Sequence, residues 1–311
     1  NIMAREKALY KGHAVAAVAA ASLHVAQEAL ALIDVDYEVL SPVMNAQEAM
    51  KEGAPLLHER LASLTDPAAR AGGLLDDDDP SEGSNIANHF EFHLGDVGNG
   101  FAEADVIVEH ETSTSPVHQG YIEPHTGTAM WQTDGNLTIW SSTQGHFAVR
   151  EMTGWVLGIP TSKIKVIPME VGGGFGAKSI IYVEPVATVL ARKTGRPVRV
   201  TMTRTEVFES SGPTSASHIK VKLGATKEGR ITAAEAQLIY EAGAFPGSPV
   251  VPGCVCMMSA YDIPNARLEG YDVVVNGPKS AAYRAPGSPV SAFAMETAVD
   301  KLCEKLGMDP L

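Results

Sequence analysis

Hydrophobic and polar positions change period several times along this chain, and each change marks an element. Between residues 13 and 40 an apolar run (AVAAVAA, 14–20) is followed by Leu23, Ala26, Ala29, Leu30 and Ile33 at helical spacing, and then by alternating Val35, Tyr37 and Val39. The pattern predicts a β-α-β unit: strand 14–20, a helix from the N-cap Ser22 to Ile33, and strand 34–40. A short helix follows over 45–52. Residues 65–88 are poor in large apolar side chains and carry Gly72-Gly73, the run Asp76–Asp79 and then Pro80, which is the chemistry of a linker. Beyond it the alternation in ADVIVEHE (104–111) predicts a strand. TAMWQT and LTIWSS around Asp134-Gly135 predict a hairpin, and Phe147–Leu157 an amphipathic helix stopped at Gly158-Ile159-Pro160. KIKVIP (163–168) reads as a strand, Ile180–Lys193 as a helix, 194–200 as a turn and strand. An antiparallel pair should turn at KEGR (227–230), and Val290–Leu306 should be helical.

One stretch obeys neither period. VGGGFGAK (171–178) sits between the strand 163–168 and the helix-like run, and its glycines would weaken either kind of element. What they supply is backbone reach, because successive N–H groups without side chains in the way can converge on an anion or an oxo group. Phe175 would then be a wedge or lid beside a ligand and Lys178 a counter-charge. The pattern Gly172-x-Gly174-x-x-Ala177 also satisfies a dinucleotide fingerprint, with Arg204 and Glu206 after the next strand available to read the cofactor. Against that stand Pro185 inside the following helix and the mid-chain position of the loop. A nucleotide P-loop is excluded, since Ala177 precedes Lys178, and a plain strand-to-helix crossover remains a third reading.

Two more positions carry chemistry. Gln144 follows the second hairpin strand and could donate an amide hydrogen to a ligand or simply be solvated. Tyr283-Arg284 lies in AAYRAPGSPV (281–290), where proline and glycine stiffen the loop, so the guanidinium suits fixed recognition of a carbonyl or oxyanion, or a salt bridge. His118, Glu123, His125 and His146 lack the helical spacing of a metal pair, and four adjacent aspartates lack the alternating ligands of a calcium loop. Cys254-Val255-Cys256 would place both thiols on one face of an extended segment, without the second pair a zinc site needs.

Composition adds limits. A length of 311 residues, 45% hydrophobic and 20% charged, accommodates two domains with ample core, and a net charge of −13 argues against a nucleic-acid partner. Three cysteines without framework spacing suggest a reducing, cytoplasmic compartment. No apolar run is long enough to span a membrane. The opening NIMAREKALYKGHAVAAVAA reads as a strand entered midway, so residue 1 is taken not to be a natural start.

Taken together and in order, HQGYIEPHTGTAMW (118–131), SSTQGHFAVR (141–150), VGGGFGAK (171–178) and AYRAPGSP (282–289) resemble the molybdopterin-binding large subunit of the molybdenum hydroxylases, the family of xanthine dehydrogenases and aldehyde oxidases. REKALYKGHAVAAVAA and LGDVGNGFAEADVIVEHE are similar too, so the resemblance covers nearly the whole chain. It implies an α+β architecture: a partial, small α/β hammerhead-type domain (1–80), a linker (81–100) and a larger mixed α/β molybdenum-cofactor-binding domain (101–311). By the same resemblance Gln144, Gly173, Gly174, Phe175 and Gly176 contact the molybdenum–molybdopterin cofactor, with its cytosine dinucleotide form left open. Arg284 polarises the substrate, and Ser179 and Tyr283 line its pocket. The metal is held by the pterin and not by protein side chains.

The reaction implied is oxidative hydroxylation of an aldehyde or N-heteroaromatic compound with oxygen from water. Electrons would pass to iron–sulfur clusters and FAD carried by partner chains or missing segments, since three scattered cysteines cannot ligate two clusters. Partners are thus an iron–sulfur subunit, an FAD subunit or the C-terminal half of the molybdopterin subunit, where the family's glutamate base is expected. Ser179 stands where purine-hydroxylating members carry a glutamate, and Ala285 where copper-containing CO dehydrogenases carry a cysteine, which argues against xanthine and CO. The alternatives are an NAD(P)-dependent oxidoreductase with its dinucleotide on 172–177, or a non-catalytic assembly fragment.

Overall fold

The computed structural model describes residues 2–59, 61 and 83–310. The strands in chain order are β1 (Ile86–Leu94), β2 (Val106–Thr114), β3 (Thr126–Trp131), β4 (Leu137–Ser141), β5 (Ile164–Pro168), β6 (Val198–Thr201), β7 (Ser217–Ala225), β8 (Ile231–Gly243) and β9 (Ala266–Val274). They form two sheets in two compact units, one built from 1–41, 118–213 and 281–284, the other from 42–117, 214–280 and 285–311.

The second unit holds a five-stranded sheet of order β1-β9-β8-β7-β2, in which β8 and β9 run parallel and every other pair antiparallel. The turn 227–230 joins β7 and β8 as the sequence suggests, with Gly229 at φ 86°. One face of the sheet is covered by the helix Ser288–Leu306. Its buried residues Ser291, Ala294, Met295, Ala298 and Leu302 recur at helical spacing, and the last four pack in one core with Ile219, Val221 and Leu223. β1 lies inside the stretch 81–100, where alternation is weak. The acidic run Asp76–Asp79 lies outside the described residues.

The cysteine pair corrects the sequence reading. Val250–Met257 is a helix, so Cys254 and Cys256 point to different sides, the first buried and the second exposed. Seven apolar or small residues in eight positions read equally well as either element, and burial against Tyr240 and Gly270 decides for the helix.

The first unit positions the candidate site. Its sheet has the order β5-β4-β3-β6; β3 is antiparallel to β4 and β6, whereas β4 and β5 are parallel, with Ser141 opposite Pro168. The hairpin and the helix His146–Leu157, closed by Gly158 at φ 65°, fall where the sequence puts them. That helix is the crossover between β4 and β5, and parallel strands need such a connection. The helix Glu184–Thr194 packs Ala187 and Ala191 on Ala129, Leu137 and Ile139. Pro185 is in its first turn, where proline is tolerated, so this residue does not count against a dinucleotide site.

Near the start of the chain only part of the predicted β-α-β unit forms. Ser22 caps the helix Leu23–Leu30 by accepting the Val25 N–H, but the helix stops before Ile33 and buries none of its residues. Residues 14–20 and 34–40 are not strands. Val35, Tyr37 and Val39 keep the alternation yet stay exposed, and no neighbouring strand among the described residues offers a hydrogen-bond ladder.

Candidate functional site

Parallel pairing brings the ends of β4 and β5 to the same side, and the segment following each strand meets the other there. After β4, Thr143 Oγ1 donates to the Lys178 carbonyl at 2.9 Å, and the Gln144 N–H donates to the same oxygen at 2.9 Å. The Gln144 side-chain carbonyl accepts the N–H groups of Gly176 at 2.9 Å and Lys178 at 3.3 Å. Two donors on one atom identify it as oxygen, so the amide NH2 points away from the loop. Gln144 is exposed, and that NH2 has no partner among the described residues.

The glycine loop follows β5. Its backbone passes through left-handed conformations at Gly173 (φ 93°), Phe175 (φ 52°) and Gly176 (φ 107°), a turn that glycine adopts without strain. A Cβ on Gly174 would lie 2.5 Å from Gln144 Oε1, and one on Gly176 would lie 2.8 Å from the Ala282 carbonyl oxygen. The N–H groups of Gly173, Gly174 and Phe175 donate to no partner among the described residues. The result is a bare run of donors beside a free amide, and the Phe175 ring is half exposed next to it.

Arg284 reaches this loop through its main chain, with its N–H donating to the Phe175 carbonyl at 2.9 Å. Gln119, whose role sequence reasoning missed, holds the same segment by donating from Nε2 to the Ala282 carbonyl at 3.0 Å. Its Oε1 is buried without a hydrogen-bond partner. The Arg284 guanidinium and Tyr283 hydroxyl are unpaired among the described residues, and both residues are exposed. Ser179 lies at the loop's far end, its N–H on the Gly176 carbonyl at 3.2 Å and its own carbonyl against Gly145. Gln144, Gly173, Gly174, Phe175, Gly176 and the Arg284 backbone are therefore brought together. Ser179 and Tyr283 flank them.

Other expectations are corrected. Lys178 is not a free counter-charge, because its buried Nζ is 2.7 Å from Glu123 Oε2. Arg204 donates to the carbonyls of Tyr121 and Ile122, and Glu206 completes a capping box with Thr203, so neither is available to a ribose. His118, His125 and His146 do not converge. His125 Nε2 lies 2.7 Å from the Tyr121 hydroxyl, which also meets Ser211 Oγ at 2.9 Å, and His118 Nε2 is 3.0 Å from that Ser211 oxygen. Burial, then the charges of Lys178 and His118, push the His125 pKa down to about 3, and burial lowers that of His118 as well. Both imidazoles are neutral at pH 7, and they brace the loop's underside as a polar network rather than as acids or bases.

The topology also rules on the glycine pattern. A dinucleotide fingerprint belongs between a strand and the helix leading to its parallel neighbour. Here the loop follows β5 at one edge of the sheet, and the next strand, β6, lies at the other edge. The helix begins only at Glu184, well past the last glycine of the loop.

An exposed donor-lined bend with a free amide and a loop-tethered arginine is the geometry of a cofactor cradle. The chain belongs to the molybdopterin cofactor-binding domain family, whose model matches residues 79–311. It is 34% identical, over 98% of its length, to a probable hypoxanthine oxidase, XdhD, of Escherichia coli K12, and covers 34% of that protein. It is 30% identical to the nicotinate dehydrogenase large molybdopterin subunit of Eubacterium barkeri, over 96% of this chain and 66% of that subunit. Among solved structures, the aldehyde oxidoreductase of Desulfovibrio desulfuricans ATCC 27774 superposes with a TM-score of 0.87 at 26% identity, over 99% of this chain and 32% of that one. The chain thus spans about a third of the length of several proteins it matches.

Proposed function

We propose that this chain supplies part of the molybdenum-cofactor cradle of a hydroxylase that oxidises an aldehyde or an N-heteroaromatic compound, using oxygen from water. The observation that carries the reading is the Gln144 amide. Its oxygen is consumed by the Gly176 and Lys178 N–H groups, which leaves its NH2 as an exposed donor beside the unpaired N–H groups of Gly173, Gly174 and Phe175. A donor-only surface fits the oxo, sulfido and phosphate acceptors of molybdenum–molybdopterin, and a Cβ at Gly174 would displace the amide from its place.

When bound, the cofactor supplies a two-electron oxidation coupled to oxygen transfer. What the chain contributes is orientation and charge. Gln144 would donate to a metal-held oxygen, and the bare backbone allows close approach. Arg284, through the fixed donor fork of its guanidinium, would bind the substrate's carbonyl or ring nitrogen and stabilise negative charge as it develops. Tyr283 and Ser179 would line the substrate pocket. The names of its relatives span hypoxanthine, xanthine, nicotinate, quinoline, aldehydes and carbon monoxide, and serine in place of an acid at 179 favours substrates other than purines.

Several finer assignments belong to the same proposal. Residues 1–80 would be a hammerhead-type domain and 101–311 the cofactor-binding domain, whose sheet also takes in β1 (Ile86–Leu94) from the stretch 81–100 that the sequence suggested as a linker. Iron–sulfur and FAD centres would lie on partner chains or on other segments of the same protein, the pterin could carry cytosine dinucleotide, and the location would be cytoplasmic, in keeping with three unpaired thiols. No helix among the described residues is long and apolar enough to cross a membrane. The deciding experiment is metal and pterin analysis of the native protein with the subunits that copurify. Stoichiometric molybdenum and pterin are expected; their absence, or nicotinamide dinucleotide in their place, would sink the reading.

A further inference from the structure

The Lys178 side chain is fully buried (0%), with Nζ 2.7 Å from Glu123 Oε2. The same carboxylate oxygen accepts the Gly172 N–H at 2.6 Å, and the Glu123 N–H donates back to the Gly172 carbonyl at 3.1 Å. One oxygen therefore ties the first glycine of the loop to its last residue. The approach is close enough that a Cβ on Gly172 would lie 2.6 Å from the Glu123 Cβ. Lys178 is in turn joined to Gln144 at both main-chain ends, its N–H on Gln144 Oε1 at 3.3 Å and its carbonyl accepting the Gln144 N–H at 2.9 Å.

We propose that Glu123 and Lys178 are positioning residues: an ion-paired clasp that closes the loop 172–178 and thereby aims the Gln144 NH2 and the free N–H run at the bound group. The proposal rests on the reading of this loop as a molybdopterin cradle. The physical reason for a charged clasp is its cost when broken. A buried ammonium without its partner is strongly unfavourable, so the loop is held shut by the penalty of exposing Lys178 as well as by the bonds themselves. Because Lys178 is bonded to Gln144 from both sides, any shift of the clasp is passed directly to the amide that faces the ligand. Removing both charges together should then do less damage than removing the carboxylate alone.

The test uses the full-length protein with its copurifying subunits as wild type, Glu123→Gln, Lys178→Met and the double variant. Hydrogen exchange of the segment 172–178 is measured, with molybdenum and pterin content and the Mo(V) paramagnetic resonance spectrum after dithionite reduction. In Glu123→Gln, exchange at Gly176 and Lys178 should be about tenfold faster or more while β4 amides hold their protection, and the Mo(V) spectrum should shift. The double variant should recover much of both. If Glu123→Gln does not fold, Lys178→Met carries the expectation in the same direction, since the partly exposed Glu123 carboxylate can be hydrated. Exchange within twofold of wild type in both single variants overturns the clasp, as does loosening shared equally with β4, the mark of a merely structural pair. A wild-type protein devoid of molybdopterin overturns the cofactor reading alone, and loop exchange still decides whether the clasp exists.

Discussion

The N–H of Arg284 donates to the carbonyl of Phe175 at 2.9 Å, so the arginine is fastened to the glycine loop by its main chain while its guanidinium is left unpaired among the described residues. A residue tethered this way can lose its side chain without loosening the loop. Arg284→Ala should cut turnover of the full assembly by roughly two orders of magnitude or more, while molybdenum content stays near wild type. Steady-state turnover per molybdenum checks this, and unchanged turnover would remove the role assigned to the arginine.

Gln144 has two functions on one amide, and they separate by substitution. Gln144→Glu keeps an acceptor for the Gly176 and Lys178 N–H groups but loses the outward donor. The melting temperature should change little, whereas turnover per molybdenum falls on the order of tenfold to a hundredfold. Gln144→Ala should also loosen the loop, by about 1–2 kcal/mol for two lost hydrogen bonds. Equal melting temperatures for the two variants would contradict the anchoring half of the argument.

The loop glycines should fail in different ways. At Gly174 the added methyl meets the end of the Gln144 side chain, which can rotate aside, so Gly174→Ala should fold with a modest loss of stability and a displaced amide. At Gly176 the methyl meets backbone, the Ala282 carbonyl oxygen at 2.8 Å, and φ is 107°. Gly176→Ala should cost roughly 2–4 kcal/mol, read from denaturant midpoints, and should also displace the segment carrying Arg284.

His125 makes stability depend on pH. Its folded pKa of about 3 lies below the ordinary 6.5, chiefly through burial. Between those values the unfolded chain binds a proton that the folded chain excludes. The stability held by the neutral ring is therefore complete above pH 6.5 and is lost as pH falls toward 3. The slope is about 1.4 kcal/mol per pH unit for this one group. Urea midpoints from neutral pH downward should fall less steeply in His125→Gln than in wild type. Parallel slopes would mean that His125 is hydrated in the native state.

The cysteines should differ in reactivity. Burial pushes the Cys254 thiol up to about 12, while Cys256 on the same helix is exposed. Iodoacetamide at pH 8 should label Cys256 in the native protein and reach Cys254 only after denaturation. Native labelling of both would show that the helix Val250–Met257 opens readily.

Many elements of both units were legible because their signals are local. Asp134-Gly135 marks the hairpin, Gly158 the end of the crossover helix, and the alternation in 104–111 its strand. Where the signal is ambiguous the reading failed: the apolar stretch around Cys254 is helix rather than extended, and the alternation at 34–40 finds no strand partner among the described residues. Lys178 shows a different limit. A lysine closing a glycine loop looks like an anion ligand, and nothing nearby in sequence reveals that Glu123 has already taken its charge.

By itself the sequence determined which residues could do chemistry: a glycine run unfit for helix or strand, an amide after a strand, an arginine on a stiff loop, and a motif order that places the chain in its family. Only the tertiary structure decided which of these meet. Parallel pairing of β4 with β5 sets Gln144 against Gly174 and Gly176, and the Phe175 carbonyl receives Arg284. The reason is physical. Turn and cap preferences act within a few residues, whereas strand partnership, burial and ion pairing depend on contacts between segments far apart in the chain, whose energies no local window contains.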